Sequence, residues 1–160
     1  MNNETVRRRL LLRLGVLFFI AIWFFGVISP CLNLDLINSI YPFQKQIYST
    51  VCHQNINKSF ICNDIYFLVC ARCTGIYAGA LISALVIIFY LKQFLFKTKY
   101  LIIFSIPMLL DVILLNFDFY NYLHSLSATT GLLFGSSVFL YILSAIENLL
   151  FTNQKIKNEF

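Results

Sequence analysis

Four long apolar runs decide what solvent a chain like this can fold in. They cover residues 10–28, 70–91, 100–117 and 126–150, each near the roughly 20 residues that a helix needs to cross a hydrocarbon core. Backbone polar groups inside lipid must bond within their own segment, so each run is expected as a transmembrane helix. Composition agrees, with 59% hydrophobic and only 12% charged residues, too few polar groups to cover a soluble domain. The expected architecture is an all-α integral membrane four-helix bundle, a single membrane domain over residues 1–160.

The net charge of +5 does not point to nucleic acid, because no basic face interleaved with aromatics accompanies it. Arg7, Arg8, Arg9 and Arg13 precede or open the first span, Lys92, Lys97 and Lys99 lie between the second and third, and Lys155 and Lys157 follow the fourth. Lysines and arginines at such places are topology signals, and they put both termini in the cytoplasm. The expected location is a prokaryotic cytoplasmic membrane, with the lipid bilayer as the first partner. Arg13 stands close enough to its span's end to snorkel, and Glu147 close enough to reach water or Lys155. A cleaved secretory or lipoprotein signal ending at Cys31 is the rival reading of the first run. Pro30 before that cysteine and the length of the run favour a retained span.

This topology makes residues 29–69 an extracytoplasmic first loop, longer than a connector. Its stretch LDLINSIYPFQKQIYSTVCHQ places apolar residues at Leu36, Ile37, Ile40, Tyr41, Phe43, Ile47, Tyr48 and Val51. That spacing predicts short amphipathic helices on the outer leaflet, broken by Pro42. Packing of the aromatics on the bundle mouth accounts for the same pattern. Either way Cys52 and His53 return to the membrane surface near the second span.

CHQ at 52–54, SF at 59–60 and CARCTGIYAG at 70–79 resemble the signature of a prokaryotic family of small membrane proteins of unknown function. PMLLD at 107–111 and TGLLFG at 130–135 fit that family's later Pro-x-x-x-Asp and Thr-Gly-x-x-x-Gly, so the resemblance covers residues 52–135. Where the family commonly has Gly after the Asp, this chain has Val112. Where it tends to have Asn and Arg ahead of Thr-Gly, His124 and Ser127 stand. The resemblance implies a four-span membrane protein and no established reaction.

The chemistry therefore rests on the residues. Cys70 and Cys73 share a helix face, with Tyr77 four further on. They fall in the first turn of the second span, where free N–H groups and the helix dipole favour a thiolate. Joined by Cys52 or His53, they make a three- or four-ligand set for zinc or another soft transition metal. One of Cys52 and His53 is expected as ligand and the other, with Gln54 and Arg72, as support. The second hypothesis uses the same atoms. Cys-x-x-Cys atop a bundle with a loop pair, Cys52 and Cys62, is similar in outline to the quinone-linked disulfide oxidoreductases of the vitamin K epoxide reductase type. The order of the pairs differs. A third hypothesis is a structural or assembly protein whose disulfides only staple the loop. Metal ranks first, thiol redox second. No phosphate loop, HExxH motif or serine-histidine arrangement supports hydrolase chemistry, and no internal repeat supports a carrier.

Asp111 lies within the third span, where a carboxylate must face the interior, pair or take a proton. Its candidate partners are Arg72, a bound cation and His124. Small residues recur every four positions at Gly75, Gly79 and Ser83 and at Ser127, Gly131 and Gly135. Such stripes let helices approach closely, so the second and fourth spans are expected to pack together. Homodimerisation, or docking on another membrane protein, through one stripe is the alternative use.

Overall fold

The computed structural model describes residues 3–32, 35–62, 65–90, 95–117 and 119–157. Among them four helices are long and apolar enough to span a membrane: Val6–Leu32, Ala71–Ile88, Thr98–Asn116 and His124–Leu150. They belong to α1 (Asn3–Ile28, extended by a 3-10 turn at Ser29–Leu32), α3 (Ala71–Ile88), α4 (Thr98–Asn116) and α5 (His124–Lys157). Leu91, the expected end of the second span, and Lys92 lie outside the described residues.

Helices α3 and α5 form the central pair, α1 packs on α3, and α4 packs on α5. The central pair is close because glycines remove the side chains between the backbones. Gly75 faces the Ala128 carbonyl, Gly79 that of Leu132, Gly131 that of Arg72 and Gly135 that of Ile76. Ser136 adds a hydrogen bond across the seam, its Oγ donating to the Gly79 carbonyl at 3.1 Å. Without a hydrophobic effect between helices in lipid, this contact is what associates them. A Cβ at Gly135 would collide with the Ile76 carbonyl, and its Cα would stand 2.7 Å away. Gly135→Val is accordingly expected to cost about 1–3 kcal/mol by overpacking, read as a lower unfolding midpoint in detergent, while Gly15→Val, with open space around it, leaves the midpoint in place.

The first loop departs from expectation in two ways. It holds one amphipathic helix, α2 (Asp35–Ser49), that continues through Pro42. Proline removes one backbone hydrogen bond and crowds the preceding turn, but the second half of α2 is anchored independently. Tyr48 is buried with its hydroxyl donating to the Trp23 carbonyl at 2.7 Å, and Ser29 bonds Gln44 at 3.1 Å. Ile40, Phe43, Ile47 and Val51 remain exposed, a face suited to the lipid interface. The second departure is a β-hairpin of β1 (Ser59–Cys62) and β2 (Ile65–Cys70), paired antiparallel with Ile61 opposite Tyr66 and Cys62 opposite Ile65. A lone hairpin is marginal in water. This one packs on the 3-10 turn, on α2 and on α3, and β2 runs into α3 without an intervening residue.

At the opposite end, Arg13 and Glu147 do not reach for water as expected. Their exposures are 3% and 1%. Arg13 Nε donates to Glu147 Oε1 at 2.6 Å and its NH2 group to Oε2 at 3.0 Å, while NH1 donates to the carbonyls of Ile87, at 2.8 Å, and Tyr90. Arg9 approaches the same carboxylate at 3.7 Å. The Ile87 carbonyl belongs to the last turn of α3 and that of Tyr90 follows just beyond it, where a helix leaves acceptors unpaired. One side chain thus joins α1, α3 and α5 by pairing charge and capping a helix together.

Candidate metal centre

Three segments bring three cysteines together. At the end of α2, the Cys52 amide donates to the Tyr48 carbonyl at 3.0 Å, turning the chain inward. The reversal continues at Gln54, whose φ of 49° is left-handed and whose Nε2 donates to the Lys45 carbonyl at 2.9 Å. Asn55 then caps the turn that enters β1, accepting from the Asn57 amide at 3.0 Å. Across the hairpin, Ser59 stands opposite Cys70. Cys70 is the N-cap of α3 with extended backbone, and Cys73 follows one turn into the helix.

The sulfur atoms of Cys52, Cys70 and Cys73 all lie within 4.8 Å of one another. Tetrahedral zinc with Zn–S bonds of about 2.3 Å would separate its sulfurs by about 3.8 Å, so the group needs only a small contraction to close on an ion. Cys52 Sγ also accepts the Cys70 backbone N–H at 3.3 Å, the first free donor of α3. Hydrogen bonds from the Cys70 thiol and then the Cys73 thiol hold Cys52 well below the ordinary thiol range, and the contact with Cys52 pushes the Cys70 thiol up.

The surroundings of Cys52 are apolar. Cys52 is 7% exposed and clusters with Val27, Tyr48, Leu68 and Val69, with Trp23 and Tyr77 packed against it. Trp23 lies 4.9 Å from the Tyr48 ring and 6.2 Å from that of Tyr77. Tyr77 therefore belongs to the wall of the centre. His53 is exposed and stands outside the three-sulfur group. Of the two adjacent candidates, Cys52 is the one drawn in.

Arg72 points away from the sulfurs and forms a second cluster. Its NH2 group meets Asp111 Oδ2 at 2.5 Å, Ser127 Oγ donates to the same oxygen at 3.1 Å, and the Tyr120 hydroxyl donates to Oδ1. Asp111 is the buried residue of α4, at 4% exposure. Tyr120 and Ser127 were not expected as its partners, although Ser127 occupies the position where the resembled family carries a polar side chain. His124 does not enter this network. Its ring packs 5.1 Å from Tyr122 and 6.0 Å from Phe60, tying the start of α5 to the hairpin. Gln54 likewise serves its own loop.

The structure brings Cys52 to the Cys-x-x-Cys rather than to Cys62, whose thiol neighbours that of Cys31. The cause is the hairpin, which carries Cys62 to one end of its strands and Cys70 to the other.

Comparisons with known proteins agree with this membrane architecture. Residues 52–141 match the family described as predicted membrane protein (DUF2085), which holds the three sulfurs, Arg72 and Asp111. An uncharacterized protein of Methanocaldococcus jannaschii is 37% identical over 100 residues, 61% of this chain and 64% of that protein. One of Methanothermobacter thermautotrophicus is 40% identical over 50 residues, 31% of this chain and 40% of the relative. The chain thus spans less than two thirds of the length of either relative. No solved structure matches.

Proposed function

We propose, for a chain that belongs to the DUF2085 family of predicted membrane proteins, that Cys52, Cys70 and Cys73 bind a soft metal ion, zinc first, at one face of the membrane. The observation that carries this reading is the convergence of three sulfurs from a loop, a helix cap and a helix turn within 4.8 Å. Three thiolates suit zinc or another thiophilic ion and leave a fourth zinc position for water or an incoming group. The helix N-terminus and the Cys70 amide offset part of the negative charge. Arg72 and Asp111 hold α4 beside α3 and α5 and so support the helix mouth on which two ligands stand.

Nine of the twelve lysines and arginines precede or open the first span, lie between the second and third or follow the fourth, and the positive-inside tendency favours both termini in the cytoplasm. The centre then opens at the outer face of the cytoplasmic membrane. Thiol exchange with a quinone is the second reading, favoured by the same closeness of Cys52 to the Cys70 and Cys73 sulfurs. It lacks the separate Cys52–Cys62 loop pair that its analogy requires.

Elemental analysis of protein purified in detergent tests the proposal. About one zinc, copper or iron per chain is expected, retained in His53→Ala and lost in Cys52→Ser and Cys73→Ser. Absence of metal from protein purified with and without added zinc, together with a thiol count that falls on adding quinone, would replace the metal reading with the redox one.

A further inference from the structure

Two cysteines remain outside the metal centre, and the fold brings them together across the first loop. Cys31 lies in the 3-10 turn that ends α1, and Cys62 closes β1 opposite Ile65. Their thiols are in hydrogen-bond contact, and both are partly exposed. The segment between them contains all of α2, the turn bearing Cys52 and strand β1. β2, the strand paired with β1, lies against the 3-10 turn and ends at Cys70.

We propose that Cys31 and Cys62 form a disulfide that staples the hairpin to the end of α1, a modification site separate from the three-sulfur centre. This inference rests on the proposed orientation, which puts both thiols on the oxidising side of the membrane, where disulfides persist. The oxidant is a disulfide-bearing donor. Cys62 loses its proton to solvent, and its sulfur attacks one donor sulfur, breaking the donor S–S bond and releasing the first donor thiolate. Cys31, deprotonated in turn, displaces the second donor sulfur and forms the Cys31–Cys62 bond. The donor gains two electrons and leaves as two thiols, taking up the two protons released.

The staple acts on the neighbouring centre through the hairpin. Cys70 is the last residue of β2, so fixing the other end of the hairpin to α1 restricts the separation of Cys70 from Cys52. Disulfide formation therefore slows escape of the bound ion without supplying a ligand.

The test uses full-length protein in detergent, equilibrated with oxidised or reduced glutathione, then denatured with chelator and alkylated. Intact mass is expected to show three alkylated cysteines after oxidation and all five after reduction, since the chain has five. Peptide mapping of the oxidised wild type is expected to join Cys31 to Cys62, and Cys73→Ser to form the same bond. That variant separates the staple from the metal reading, because it forms the disulfide whether or not zinc is bound. Full alkylation of the oxidised protein, or a bond from Cys62 to Cys52, Cys70 or Cys73, overturns the proposal. With zinc loaded, transfer to a chelator is expected to be slower from the oxidised form, and equal rates overturn the link to the centre.

Discussion

Glu147→Ala is expected to destabilise the protein by about 3–5 kcal/mol, the cost of leaving a buried ion without its counter-charge. Arg13 would keep its guanidinium at a site of 3% exposure after losing the carboxylate that holds Nε and NH2. Arg9 stands 3.7 Å from that same carboxylate, so the substitution also brings two cations into opposition. Intramembrane charge tolerates this poorly. The double variant Arg13→Leu/Glu147→Leu removes both charges and is expected to lose less than Glu147→Ala alone, since well-packed apolar groups can replace a buried pair at little cost. Unfolding in detergent, followed through Trp23, the single tryptophan, measures both. A loss within about 0.5 kcal/mol for Glu147→Ala, the range of an ordinary surface change, would mean that the pair does not join the three helices.

The second large effect is expected at the other end. Asp111→Ala removes the acceptor of three hydrogen bonds, from Arg72, Tyr120 and Ser127. Arg72 is partly exposed and can turn toward the interface, so the expected loss is about 2–4 kcal/mol, below the full figure for a closed pair. Asp111→Asn keeps a carbonyl acceptor for one of the two hydroxyls, which bond different oxygens, and is expected to fall between Ala and wild type. Because α4 buries little besides Asp111, the loss is expected to appear first as protease access to the loops flanking α4. Unchanged protection in Asp111→Ala would show that the contacts of α4 with α5 alone hold it.

The spans were legible because the thickness of a hydrocarbon core forces a run of apolar residues that no other architecture requires. The closeness of α3 and α5 was legible for a related reason. In lipid, small residues every four positions are among the few means of drawing backbones together, and the structure sets Gly75, Gly79, Gly131 and Gly135 in that seam.

The first loop was legible only in part. Its hairpin was signalled by IYFLVC, a run of β-branched and aromatic residues, but the stronger pattern in the loop is the helical apolar spacing of α2. The hairpin decides which thiols become neighbours, because it carries Cys62 and Cys70 to opposite ends of its strands. The Arg13–Glu147 pair was hidden differently. Each residue lies near a span end, where solvent offers an adequate partner, and only the packing of α1 against α3 and α5 closes that route. The cysteine grouping could be narrowed to Cys70 and Cys73 with one neighbour. The choice of Cys52 over His53 depends on the turn at Gln54, whose left-handed backbone nothing in CHQN requires.

In the proposed centre three sulfurs, and not merely three nearby cysteines, hold one metal ion. X-ray absorption at the zinc edge, on zinc-loaded protein in detergent, reads those ligands. About three sulfur neighbours at about 2.3 Å with a lighter fourth atom near 2.0 Å are expected, and one sulfur fewer in Cys70→Ser. A first shell of nitrogen and oxygen alone, or a spectrum unchanged by Cys70→Ser, would contradict it.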